Sequence, residues 1–236
     1  MTLKAVLFDF NGVIINDEPL HAKLVEQILL EENLILKPGE FKQYGLGRSD
    51  RACFTDLFNL RGRVLSESLL ASLIQRKAEA YFKQLAELEK LPIYPGLEDF
   101  IFKVRAANCK LAIVSGALRS EIDWILQRSN LQACFSVIVA GDDIATSKPD
   151  PTGYLLAVDR LNQEFPDLHL QAADCLVIED TFAGIQAAKN AQMPVVGVAN
   201  TYPFHMMQRR ANWAVDYLSD IEFDRLQDLY TNPTAA

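Results

Sequence analysis

Apolar residues follow two periods along the chain. Four short runs rich in valine and isoleucine, KAVLFD at 4–9, KLAIVS at 110–115, DCLVIED at 174–180 and PVVGVAN at 194–200, lack polar alternation, and FSVIVAG at 135–141 has the same character. Continuous apolar runs of this length fit strands covered on both faces. Between them lie GLEDFIFKVRAAN, RSEIDWILQRSN, PTGYLLAVDRLN and TFAGIQAAKNA, which carry helical spacing. Strand and helix alternate, which predicts an α/β fold with a parallel sheet and crossover helices.

The alternation stops between 17 and about 92, where PLHAKLVEQILLEEN, SDRACFTDLFNL and SESLLASLIQRKAEAYFKQLAELEKL appear instead. The last repeats leucine, isoleucine, alanine and aromatics at i, i+3 and i+4. An all-helical insertion after the first strand is expected. Two prolines and a glycine in LPIYPG, 91–96, mark its exit.

Half of the 236 residues are hydrophobic, enough for a sizeable core. The net charge of -8 and the lack of any long block of like charge argue against a nucleic-acid partner, whose phosphates need a basic face. Cys53, Cys109, Cys134 and Cys175 form no CxxC pair and read as buried thiols in a reducing compartment. The N-terminus has no secretory pattern, and no uncharged apolar run approaches ~18 residues. A soluble, cytoplasmic monomer without a membrane partner is expected.

In parallel α/β sheets, ligands sit beyond the carboxyl ends of the strands. That edge collects Asp9, Ser115, Lys148, Glu179 and Asp180. Carboxylates crowded together repel unless a cation neutralises them, and hard oxygen ligands of this kind suit Mg²⁺ with a substrate phosphate. A lysine and a serine hydroxyl nearby suit phosphate oxygens. No GxxxxGK[ST] loop is present, so a P-loop nucleotidase is not supported. Plainer readings exist for each residue taken alone. Asp9 to Gly12 fits a strand-ending turn, Ser115 a helix cap, Lys148 a solvated loop, and Glu179 with Asp180 a helix N-terminus.

The order DFNGV, VSGA, SKPDP, IEDTFAGIQAAKNA, from residue 9 to 191, resembles the four motifs of the haloacid-dehalogenase-like hydrolase superfamily. Within it, the chain is similar to the capped phosphatases and β-phosphoglucomutase-like enzymes. The resemblance implies a Rossmann-like core, 1–16 and 93–236, and a helical cap, 17–92. It implies Asp9 as nucleophile, and Mg²⁺ held by Asp9, Asp180, the backbone carbonyl of Asn11 and, directly or through neighbours, Glu179. Ser115, Lys148 and the amides of Gly116 and Ala117 would grip the phosphoryl group. NDEPLH (16–21) and GLGRSD (45–50) look like the hinge and specificity loop, so His21 and Arg48 would face the substrate from the cap side. Tyr44 stands where the mutase's cap lysine is expected.

The departure is Asn11, where these enzymes carry an aspartate that serves as general acid and then base. An amide exchanges no proton, and loss of such a group costs ~10² to 10⁴ in rate. Substrates that leave without protonation, such as aryl or acyl phosphates, should suffer least. Asn before Gly is also the pair most prone to deamidation, which would create an aspartate at position 11. The expected function is Mg²⁺-dependent hydrolysis of a small, sugar-like phosphomonoester. A phosphate-ester-binding or regulatory protein with little catalysis is the alternative, and a β-phosphoglucomutase-like phosphotransferase is the third reading.

Overall fold

The computed structural model describes residues 2–231. The chain runs β1 (Ala5–Phe8), α1 (Glu18–Glu31), α2 (Glu40–Tyr44), α3 (Asp50–Asn59), α4 (Glu67–Ala86), α5 (Leu97–Ala106), β2 (Lys110–Val114), α6 (Arg119–Arg128) and β3 (Val137–Val139). It continues with α7 (Thr152–Glu164), β4 (Cys175–Glu179), α8 (Phe182–Asn190), β5 (Val195–Val198), α9 (Phe204–Gln208), β6 (Trp213–Val215) and α10 (Phe223–Thr231). The strands form one parallel sheet in the order β3-β2-β1-β4-β5-β6.

All five apolar runs form strands, and their lack of alternation has the expected cause. Val6 and Phe8 of β1 pack with α5, α6 and α10 on one face, and Ala5 and Leu7 pack with α7 and α8 on the other. β6 has no counterpart in the sequence reading. It is a three-residue edge strand, WAV, half-buried throughout, so no long apolar run announces it. The short α2 and α9 are likewise too brief for a helical period to show.

Helices α1 to α4 lie between β1 and α5. Val25, Ile28, Leu29, Phe54, Leu57, Phe58, Leu70 and Leu73 give them a hydrophobic cluster of their own. Leu24, Tyr81 and Leu85 instead join the cluster under the sheet, so α1 and α4 are anchored to the α/β core at one end. Ser49 and Ser66 cap α3 and α4, accepting hydrogen bonds from Ala52 and Leu69 N–H. Entry and exit of this helical cap are stitched together, with Asn16 N–H donating to Pro92 O (2.8 Å) and Tyr94 N–H to Ile14 O (3.0 Å).

Cys53, Cys109 and Cys175 are buried free thiols, whereas Cys134 is only half-buried, because it sits in a short 3₁₀ turn ahead of β3. Among the described residues, no helix is long and apolar enough to cross a membrane.

Candidate active site

Register brings the carboxylates together. Phe8 lies opposite Ile178, so Asp9 emerges beside Glu179 and Asp180 at the carboxyl end of the two central strands. Asp9, Glu179 and Asp180 are buried, with carboxylate oxygens within 4.8 Å of one another. Lys148, on the loop after β3, reaches between them. Its Nζ is 2.8 Å from Asp9 Oδ1 and 2.7 Å from Glu179 Oε1.

Glu179 is fully engaged. Oε1 also accepts from Tyr154 OH (2.7 Å), and Oε2 from Thr181 Oγ1 (3.0 Å) and the Asp180 and Thr181 amides. Asp180 is different, since Oδ2 accepts from Thr201 but Oδ1 is buried without a hydrogen-bond partner. Burial, then the charge of Glu179, pushes the Asp9 carboxyl up to about 7, against the pull of Lys148. Burial, then Asp9 and Glu179, pushes Asp180 well above the carboxylate range. Lys148 stays charged, because Asp9 and Glu179 outweigh its burial. Such a cluster is short of positive charge, with one ammonium against three carboxylates.

The loop from Phe10 to Asp17 is tightly folded. Ile14 N–H donates to Phe10 O and Gly12 N–H to Ile15 O, both at 2.8 Å, with Gly12 at φ +81°. A Cβ at Gly12 would overlap the Asp180 carboxylate, so glycine serves both the conformation and the close approach. Asn200 Nδ2 donates to Gly12 O at 2.6 Å.

Asn11 faces the cap entrance. Its Nδ2 is 3.1 and 2.9 Å from the two oxygens of the buried Asp17. Asp17 also accepts from Tyr81 OH, and His21 Nε2 lies 3.3 Å away with its ring stacked on Tyr81. Burial and Lys77 push the His21 pKa down, but Asp17 and Glu121 together outweigh them and hold it above the ordinary value. Burial likewise raises Asp17, but His21, Tyr81 and Asn11 outweigh it and hold the carboxyl below its usual range.

Ser115 Oγ accepts from Ala117 N–H (3.0 Å) rather than capping α6, whose N-cap is Leu118. Its own proton remains available to a ligand. Gly116 touches the cap, and a Cβ there would lie 2.7 Å from the backbone carbon of Arg48 and 2.8 Å from Ser49 N. Ser49 N–H donates to Ser147 Oγ across the same seam (2.8 Å). Arg48 pairs with Asp56 through Nη1 (2.5 Å), leaving its buried Nε without a partner. Buried Lys77 pairs with Asp50 (2.7 Å) and faces Glu121 of α6 at 3.9 Å.

Asp9, Asn11, His21, Arg48, Gly116 and Ala117 line one cavity together with Glu18, Asp50 and Lys77. Its volume of about 30 Å³ has room for a water or two and none for a phosphate ester. The cap is therefore closed over Asp9 and Asn11.

Sequence reasoning collected Asp9, Lys148, Glu179 and Asp180; in the structure Lys148 pairs with Asp9 and Glu179, and Asp180 has a carboxylate oxygen within 4.8 Å of theirs. It did not find Asp17, Tyr81, Tyr154, Lys77 or Thr201. Tyr81 and Lys77 are hidden in the helical period of α4, and Asp17 reads as a helix-start acid. Thr181 was open to discovery, because it caps α8 by accepting from Gly184 N–H (3.1 Å).

A family model described as haloacid dehalogenase-like hydrolase matches residues 3–192. The chain belongs to this hydrolase family. It is 25% identical to Protein CbbY of Rhodobacter capsulatus over 93% of this chain and 95% of that protein. It is 26% identical to the Phosphorylated carbohydrates phosphatase of Thermotoga maritima, over 80% of this chain and 82% of that one. The crystal structure of β-phosphoglucomutase from Clostridium difficile superposes with a TM-score of 0.83 at 23% identity, covering 97% of both chains, which extends the shared fold to the cap.

Proposed function

We propose that this hydrolase cleaves small, sugar-like phosphomonoesters with Mg²⁺, through an aspartyl-phosphate on Asp9. The observation that carries the reading is the buried cluster of Asp9, Lys148, Glu179 and Asp180, whose Asp9 lines the cavity beneath the cap. The names of the relatives support the substrate class, one being a phosphatase of phosphorylated carbohydrates.

The residues fit a divalent cation. The partnerless, buried Asp180 Oδ1 and the shortage of positive charge both call for one. Asp9, Asp180 and the Asn11 carbonyl would hold it. Glu179, with both oxygens occupied, would fix Lys148 and the start of α8. Mg²⁺ supplies charge neutralisation on the phosphoryl oxygens.

Lys148 and Phe10 N–H hold Asp9 Oδ1, leaving Oδ2 to attack phosphorus. Lys148 Nζ, the Ser115 hydroxyl and the Gly116 amide bind the transferred group, while the Ala117 N–H holds Ser115 Oγ in place. Asn11 protonates nothing, so the leaving oxygen departs with its electron pair and takes its proton from water.

The test is Mg²⁺-dependent hydrolysis of p-nitrophenyl phosphate and a panel of sugar monophosphates by the wild type and Asp9→Asn. The expected result is turnover in the wild type alone, fastest on the aryl ester. A wild type that binds inorganic phosphate without turning over any ester establishes the binding-protein reading instead.

A further inference from the structure

Asn11 is anchored by one end only. Its amide nitrogen lies 3.1 and 2.9 Å from the two Asp17 oxygens and 3.1 Å from His21 Nε2, and Asp17 is 2% exposed. A carboxylate only accepts hydrogen bonds, so the N–H end must face it, and reversing the amide would set oxygen against oxygen. Asp17 is fixed in turn by Tyr81 OH of α4 and lies 3.3 Å from His21 Nε2 of α1. The remaining end, Oδ1, has no protein partner among the described residues, and Asn11 lines the cavity that Asp9 also lines.

We propose that Asp17 is a positioning residue. It locks the Asn11 amide so that Oδ1 faces the oxygen reacting at phosphorus, where it accepts a hydrogen bond from the attacking water and orients it without taking its proton. This inference rests on the phosphohydrolase reading. An amide orienting water at a phosphoryl centre is chemically sound, because alignment alone lowers the barrier. In the second half-reaction the water oxygen bonds to phosphorus, and the bond from phosphorus to Asp9 breaks with its electron pair returning to the carboxylate. Both water protons leave on the product as dihydrogen phosphate.

The geometry makes positions 11 and 17 a unit. An aspartate at 11 would bring a second carboxylate to about 3 Å from Asp17, where like charges cannot both persist. Asn11→Asp alone therefore puts an acid beside an acid, whereas Asn11→Asp with Asp17→Asn restores one carboxylate and one amide in exchanged places.

The experiment is a double-mutant cycle of Asn11→Asp and Asp17→Asn, read as kcat and KM on p-nitrophenyl phosphate and glucose 6-phosphate with Mg²⁺. For Asp17→Asn, kcat on the aryl ester should fall about 10- to 100-fold with KM within about twofold, as expected for lost alignment. On the sugar phosphate the double variant should exceed Asn11→Asp by about tenfold or more, a strongly non-additive result. An unchanged kcat in Asp17→Asn, or additive single effects, overturns the inference while leaving the phosphohydrolase reading intact. A wild type without any turnover overturns that reading, and this inference with it.

If Asp17→Asn does not fold, the wild type still decides through the side-chain amide resonance that Asn11→Asp removes from its ¹⁵N spectrum. A locked amide shows widely separated protons that exchange slowly with solvent. A narrow, fast-exchanging pair overturns the inference.

Discussion

Replacing Lys148 by methionine removes the ammonium that lies 2.8 Å from Asp9 and 2.7 Å from Glu179 while keeping most of the buried stem. Both carboxylates are buried, and Asp180 lies within the same 4.8 Å group, so the loss leaves three acids without a resident cation. Breaking a buried ion pair from one side costs about 3 to 5 kcal/mol. For a chain of this size that corresponds to a fall in melting temperature of roughly 6 to 20 °C. The decisive reading is the metal response, because Mg²⁺ becomes the sole remaining counter-charge and should stabilise Lys148→Met more than the wild type. Thermal unfolding of both proteins in EDTA and in excess Mg²⁺ measures this directly. A variant that melts in EDTA within about 2 °C of the wild type, too small for a lost buried pair, would refute the electrostatic account. Equal stabilisation of the two proteins by Mg²⁺ would refute it as well.

Gly116→Ala should leave the core folded but hold the cap open, because the new Cβ meets the backbone of Arg48 and Ser49. Its kcat/KM should fall about 10²-fold with an unchanged circular dichroism spectrum, and wild-type activity would contradict the closed-cap assignment. The metal-free protein should lose stability as pH rises. Asp9 and Asp180 have folded pKa values above their unfolded ones, so their contribution is complete below about pH 4; that of Asp9 is lost as pH climbs through about 7, and that of Asp180 is also lost as pH rises. The melting-temperature gap between Mg²⁺ and EDTA should therefore widen between about pH 5 and 8, and a constant gap counts against this sign. Deamidation at Asn11 should be slow in the folded protein, because ring closure needs Gly12 N, which donates to Ile15 O, and the Asn11 amide, which is tied to Asp17. Peptide mapping of folded and urea-unfolded samples after storage compares the two rates, and equal rates would overturn the expectation.

The apolar runs by themselves determined five of the six strands, because a strand buried on both faces needs an uninterrupted hydrophobic sequence. They also determined which residues end those strands, and so placed Asp9, Ser115, Glu179 and Asp180 on one edge before any coordinate was known. Asn11 was legible as a departure from its family's pattern, since that is a fact of identity at one position. What no run or spacing carried was the company each residue keeps. Lys148 reaches Asp9 across the intervening β2, and Tyr81, seventy residues after Asn11, meets it at Asp17 only because α1 and α4 pack side by side. Hydrophobic periodicity reports which face of an element is buried. The partners waiting on the other side are set by packing between elements distant in sequence, and only the tertiary structure decided that Asn11's amide is held by a carboxylate.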